Sequence, residues 1–169
     1  MYSNKIIVIS SVVGKDLVKY YRNGTQYSAT FYDKQGNPLV NRNVTFNIIG
    51  KIYTMKTDEN GIATLPINLN PGNYIITAHN PEDGLLYSNT ITVLSTISGN
   101  DIVNYYRNGT QYSATFLDSQ GNPLVNRNVT FNIIGKFYNA VTNADGVAEI
   151  EIDLNPGNYI VTALNPNVL

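Results

Sequence analysis

The chain has 169 residues, no cysteine, no tryptophan, a single histidine (His79), and a formal net charge of −1 from 11 basic and 12 acidic side chains. At 14% charged residues it lacks the cationic surface that nucleic acid or an anionic membrane requires, and without thiols it has no disulfides, cysteine metal sites or thiol nucleophiles. The 43% apolar content supplies packed cores, yet no apolar run approaches the roughly 20 residues of a membrane-spanning helix.

In chain order, the first feature is Lys5 followed by the apolar run Ile6 to Val13, which has the outline of a secretion signal. The same segment recurs inside the chain: YSNKIIVISSVVGK from position 2 is matched by YSNTITVLSTISGN from position 87. An internally repeated segment is structural, so Tyr2 to Ile9 is expected to be a strand.

The repeat has a period of 85 residues. Gly14 to Pro81 aligns with Gly99 to Pro166 without a gap, and 49 of the 68 paired positions are identical. Each copy reads as β-structure throughout. After a first strand over Leu17 to Arg22, Tyr27, Ala29 and Phe31 alternate with Gln26, Ser28 and Thr30, and Val44, Phe46 and Ile48 alternate with Thr45 and Asn47. Lys51 to Thr57 forms another strand. Ala63, Leu65, Ile67 and Leu69 share one face of the next, while its opposite face changes from Thr64, Pro66 and Asn68 to Glu149, Glu151 and Asp153, as a solvated face tolerates. A sixth strand starts at Tyr74 and a seventh carries Ile91 and Val93.

The turns Gly36-Asn37-Pro38, Glu59-Asn60-Gly61 and Asn70-Pro71-Gly72-Asn73 punctuate these runs, and no segment of helical length shows a 3.6-residue period. The fold class is therefore all-β: two tandem immunoglobulin-like β-sandwich domains of about 85 residues each. Tyr74 and Tyr159 stand where such a fold places its tyrosine corner.

The stretch YYRNGTQYSATFLDSQGNPLVNRNVTFNIIG, followed by NADGVAEIEIDLNPGNYIVTALNP, resembles the immunoglobulin-like repeats of adhesin-like surface proteins of methanogenic archaea, and more loosely bacterial Ig-like domains of invasin type. The resemblance covers essentially the whole chain. It implies a stalk or adhesive role at the extracellular cell surface and supplies no catalytic residues.

Several side chains are candidates for more than structure. Asn23, Asn43, Asn108 and Asn128 each open an Asn-x-Thr sequon at repeat-equivalent positions, which makes them glycosylation candidates in an exported protein. The pairs Tyr20-Tyr21 and Tyr105-Tyr106 are candidates for a ligand surface, although adjacent strand residues face opposite ways and one of each pair is expected in the core. Asp16, Asp101, Asp58, Glu59 and Asp145 make too thin a set for calcium, and turn hydrogen bonding accounts for them. No lysine is expected inside, which argues against a covalent Lys-Asn staple. His79 is on the outward phase and its copy is Leu164. Catalytic motifs are lacking, and no enzyme, cofactor, metal, nucleic-acid partner or membrane insertion is expected.

By the phase of its repeat, the chain comprises an orphan strand over 1–10, a first domain over 11–95, and a second over 96–169 without its own final strand. Ile6 and Val8 of the orphan strand are the donor candidates to fill that vacancy in another molecule, which implies head-to-tail self-association. The expected function is a non-enzymatic structural or adhesive module forming a stalk or fibre segment. The alternative is a lectin-like domain binding carbohydrate or a surface protein.

Overall fold

The computed structural model describes residues 1–166, so the last three residues of the expected second domain lie outside it. Its regular elements are β-strands throughout. The chain divides into two compact units, one of Met1–Lys19 with Gly24–Val93 and one of Tyr20–Asn23 with Leu94–Leu169.

The first unit is built from β1 (Val12–Gly14), β2 (Leu17–Tyr20), β3 (Gln26–Phe31), β4 (Asn43–Ile48), β5 (Lys51–Lys56), β6 (Ile62–Pro66), β7 (Gly72–His79) and β8 (Leu86–Leu94). One sheet has the order β1-β3-β6 and the other β2-β8-β7-β4-β5. This distribution of strands between two antiparallel sheets is that of an immunoglobulin-like sandwich. Eight strands are found where seven are expected, because Val12–Gly14 pairs with β3 as a strand of its own. The chain then breaks at Lys15-Asp16, and β2 crosses to the opposite sheet. Arg22, at φ 56°, ends that run before Gln26.

The period-two alternation places the core as expected. Tyr27, Ala29 and Phe31 of β3 face Val44, Phe46 and Ile48 of β4, all buried. The Phe46 ring meets Tyr27 and Phe31 edge-on at centroid distances of 5.6 and 5.9 Å. Each such side chain contributes about 1.5–3 kcal/mol by leaving water. Asn80 is fully buried and satisfied: its Nδ2 donates to Tyr32 O at 2.8 Å and Ser11 O at 3.3 Å, and its Oδ1 accepts from Glu82 N. Asn165 repeats the arrangement, donating to Leu117 O at 2.8 Å. The tyrosine corner is present in both units, with Tyr74 Oη donating to Asn70 O at 2.8 Å and Tyr159 Oη to Asn155 O at 2.9 Å.

The second unit comprises β9 (Ile97–Gly99), β10 (Gln111–Phe116), β11 (Asn128–Ile133), β12 (Lys136–Val141), β13 (Val147–Glu151) and β14 (Val161–Leu164). Its sheets have the orders β13-β10-β9 and β12-β11-β14. Phe116 and Phe131 pack edge-on at 5.7 Å at the centre of its core. Among the described residues no strand corresponds to β8, and two further differences accompany that. The counterpart of β2, residues 102–105, is not a strand, and the counterpart of β7 keeps only Val161–Leu164. β2 pairs with β8, and the first half of β7 pairs with β8 alone, whereas Ile76–His79 also pairs with β4. A strand without a partner leaves its amides to water and does not form.

Tyr2–Ile9, expected as a strand, pairs with none and lies exposed, for the same reason. A second departure from expectation is Lys19, which is buried inside β2. Its Nζ donates to Thr25 O at 2.9 Å and Ile67 O at 2.8 Å, and loss of water around the ammonium lowers its pKa. A lysine is tolerated inside when carbonyls replace its hydration.

The β4–β5 turn contains Ile49 at φ 53° and Gly50 at φ 71°, and the β11–β12 turn has Ile134 at φ 46° and Gly135 at φ 80°. Two successive positive φ values define the tight hairpin turn that Asn-Gly fits best, and a β-branched residue in the first position is strained. Ile49 is 60% exposed, so little packing offsets that strain. Ile49→Asn is predicted to stabilise the first unit by about 1 kcal/mol in chemical denaturation. A lower midpoint would show that the Ile49 side chain supplies stabilising contacts.

Candidate functional site

The first unit shows what a closed sandwich requires of its last strand. β8 runs antiparallel to β7 from Leu86↔His79 to Val93↔Gly72, and its inward residues Ile91 and Val93 are buried in the core. A polar clasp fixes the same strand near its middle. Tyr27 Oη donates to Asn89 Oδ1 at 2.7 Å, while Asn89 Nδ2 and the Thr90 main-chain N–H donate to Asp16 Oδ1 at 3.1 and 2.8 Å. Gly14 makes room for it: a Cβ there would lie 2.4 Å from both Asn89 Oδ1 and Tyr27 Oη.

The clasp carries an electrostatic signature. The Thr90 amide and then the Asn89 side chain hold the Asp16 carboxyl below its ordinary pKa. Burial first, then the neighbouring Tyr87 and Asp16, pushes the Tyr27 phenol up to about 12.

The second unit has the same groove, and among the described residues no strand fills it. Tyr27, Ile67, Ile76 and Ala78 are buried in the first unit, but their counterparts Tyr112, Ile152, Val161 and Ala163 are only partly covered. The outer edge of β14 is unpaired, and Ile160 beside it is 81% exposed. The expected donor residues are free: Ile6 is 88% and Val8 90% exposed, whereas their repeat counterparts Ile91 and Val93 are 0% and 3% exposed.

The tyrosine pairs depart from expectation, since no member of either is buried. Tyr20 and Tyr21 are partly exposed, and Tyr105 is 86% exposed. The Tyr106 ring has the Arg107 guanidinium over it at 5.0 Å. Tyr105, Tyr106 and Arg107 form one wall of a cleft of about 360 Å³ whose other wall includes Leu154, Pro156 and Tyr159. Even where the strand is formed, as β2, its buried position belongs to Lys19 and not to a tyrosine.

Of the sequon asparagines, Asn43, Asn108 and Asn128 are exposed. Asn23 is partly buried and its Nδ2 donates to Ser119 O at 2.8 Å. Of the acidic candidates, Asp58 holds a turn. Asp58 Oδ1 accepts from the amides of Asn60 and Ile62, and Asn143 performs the same task in the second unit. Among the described residues no three His, Asp or Glu side chains converge on a metal-sized site. His79 is partly exposed, its Nδ1 3.5 Å from Thr45 Oγ1.

Sequence reasoning missed the clasp. Its signal was the recurrence of Gly, Asp, Tyr and Asn at matching positions, visible only once β8 is known to pass beside all of them.

No protein-family profile matches the chain, and no curated protein resembles it in sequence. Solved structures do resemble it. Invasin, a bacterial integrin-binding protein, is 19% identical with a TM-score of 0.41, and the match covers 92% of this chain and 35% of that one. A Ca²⁺-stabilised adhesin with which an Antarctic bacterium binds ice is 15% identical with a TM-score of 0.33, covering 92% and 48%. The fibronectin(III)-like modules of Clostridium thermocellum CbhA are 16% identical with a TM-score of 0.31, covering 92% and 86%. The chain thus spans about a third of invasin and half of the ice-binding adhesin. The class defined by its own topology is a tandem immunoglobulin-like β-protein.

Because the folded state depresses the Asp16 pKa, its contribution is full above the ordinary carboxylate range near pH 4 and is lost as pH falls through the lowered value. Asp16→Asn is therefore predicted to flatten the acid limb of first-unit stability, measured by denaturation between pH 2 and pH 7. An unchanged acid limb would remove Asp16 from the clasp. Amide exchange provides a second check: protection over Tyr74–Ala78 is expected to exceed that over the counterparts 159–163, and equal protection would contradict the open edge.

Proposed function

We propose that the chain is a non-enzymatic structural and adhesive module of a cell-surface protein, a segment of a stalk or fibre. Copies join head to tail, Tyr2–Ile9 of one entering beside β14 of the next. On this reading residues 1–10 are a donor strand and the domains run over 11–95 and 96–169. The observation that carries it is a free segment similar in sequence to β8 beside a groove that no described strand fills. Strand addition supplies main-chain hydrogen bonds along the β14 edge, while Ile6 and Val8 supply the apolar face. A contact between unlike surfaces does not close on itself and extends into a filament. The surface role draws support from the tandem repetition and from the repeat's resemblance to adhesin-like proteins of methanogenic archaea. In an exported parent, Asn43, Asn108 and Asn128 stand exposed as glycan acceptors, and Asn23 is the most engaged of the four.

The register follows from the first unit, where Thr77 lies opposite Ser88 with their hydroxyls 2.9 Å apart. Ser3 of one copy is then opposite Thr162 of the next. The chain has no cysteine, so introduced pairs report cleanly. Ser3→Cys with Thr162→Cys is predicted to give a ladder of disulfide-linked multimers on oxidation, and Ser3→Cys with Asn158→Cys to stay monomeric. Monomers alone, or equal ladders from both pairs, would overturn head-to-tail insertion.

A second reading is favoured by the cleft walled by Tyr105, Tyr106 and Tyr159, because exposed aromatic faces beside a guanidinium suit sugar rings or a partner protein. Selective binding of the full chain on a glycan array, lost in Tyr106→Ala, would favour this lectin-like role over a spacer.

A further inference from the structure

We propose that Asp101 and Tyr112 form the receptor half of a polar clasp, and that the Asn4 side chain of a second copy completes it. The proposal rests on the strand-insertion reading and names the contact that selects the donor and sets its register.

In the first unit the clasp joins three side chains from separate parts of the chain. Asp16 follows β1, Tyr27 lies on β3 and Asn89 lies on β8. Each has a repeat counterpart 85 residues away: Asp101, Tyr112 and, toward the N-terminus, Asn4. Among the described residues the second unit holds the first two, and the third stands in the exposed segment Met1–Ile9.

The tyrosine of the receptor half is already set. A Cβ at Gly99 would lie 2.6 Å from Tyr112 Oη, just as one at Gly14 would lie 2.4 Å from Tyr27 Oη, so the two phenols reach over equivalent glycines. Their rings are anchored alike as well. Tyr112 meets Phe131 edge-on at 5.9 Å and 88°, and Tyr27 meets Phe46 at 5.6 Å and 89°.

The chemistry selects an amide. Tyr112 Oη offers a donor and the Asp101 carboxylate an acceptor, and a carboxamide satisfies both at once. Aspartate at this position would set two carboxylates together, and an apolar residue would leave both groups unmatched. The main-chain N–H of the following residue, Lys5, then donates to Asp101 as that of Thr90 donates to Asp16. Because this last contact uses only backbone, the change from Thr90 to Lys5 does not affect it. The ligand class is therefore an extended peptide with asparagine two and four residues ahead of inward apolar side chains, as in Asn4, Ile6 and Val8.

The test titrates a dye-labelled peptide spanning Tyr2–Ser10 against the full chain carrying Ile6→Asn, which removes competition from its own N-terminus. Peptides with Asn4→Ala or Asn4→Asp are expected to bind at least about tenfold more weakly than the parent. The penalty for Asn4→Ala is expected to shrink when the acceptor also carries Tyr112→Phe, as a direct contact requires. The peptide variants leave the acceptor untouched, so misfolding cannot imitate the result. If the parent peptide and Asn4→Ala bind equally while an Ile6→Asn peptide does not, strand insertion stands and the clasp is overturned. If the parent peptide fails to bind, both are overturned.

Discussion

β8 occupies the position in the first sandwich on which its neighbours depend, between β2 on one side and β7 on the other. A strand at that position completes two rows of main-chain hydrogen bonds and covers the core with Ile91 and Val93. In the second unit, where no described strand fills that place, the β2 counterpart is not a strand, half of the β7 counterpart is lost, and Val161 and Ala163 are partly uncovered. The strands that persist there are those held by other partners: β11 keeps Val161–Leu164 in register, and β10 keeps β9 and β13. Cooperativity in a sheet passes through shared edges, so the damage stops where a second partner exists.

Apolar burial and polar contacts have different roles at this edge. Burial of Ile91 and Val93 supplies about 1.5–3 kcal/mol each, against about 1 kcal/mol for the part-buried Tyr27–Asn89 hydrogen bond of the clasp. Apolar burial, although the stronger of the two, does not alone determine position. Inward residues of β8 recur every second place, so a slip of two would keep one of Ile91 and Val93 in the core and bring Asn89 or Ser95 into the place of the other. Charge contributes little elsewhere: the ion pairs Arg42–Glu82 and Arg107–Asp153 are 3.9 and 3.7 Å apart and exposed, which is worth only a few tenths of a kcal/mol.

Much of this fold was legible because alternation maps directly onto burial. Tyr27, Ala29, Phe31, Val44, Phe46 and Ile48 are buried as their phase requires, and Glu149, Glu151 and Asp153 face water. Three features were not legible, each for a physical reason. The crossing of the first strand between sheets depends on a break at Lys15-Asp16 that leaves no mark in hydrophobic period. The positive φ of Ile49 contradicts its residue type, which only tight hairpin closure explains. Burial of Lys19 depends on the Thr25 and Ile67 carbonyls, and carbonyls are invisible in side-chain sequence. Of the candidate site, the donor residues Ile6 and Val8 were readable from the repeat, whereas the clasp needed three-dimensional proximity.

The clasp also explains why glycine, aspartate, tyrosine and asparagine recur together. A slip of β8 by two residues would carry Asn89 away from Tyr27 and Asp16 and bring Tyr87 or Ile91 toward them. Either outcome leaves the buried Tyr27 phenol without its matched acceptor, at about 1–3 kcal/mol for a group unsatisfied away from water, while the exposed Asp16 carboxylate returns to water. That is comparable with the apolar gain of one inward side chain, so the polar contact and the apolar face together oppose slippage. A single asparagine placed among apolar residues thereby helps to fix register, as a lone buried asparagine does in a coiled coil. The side chains that hold β8 in the sandwich are thus joined by a polar set in telling it where to stop.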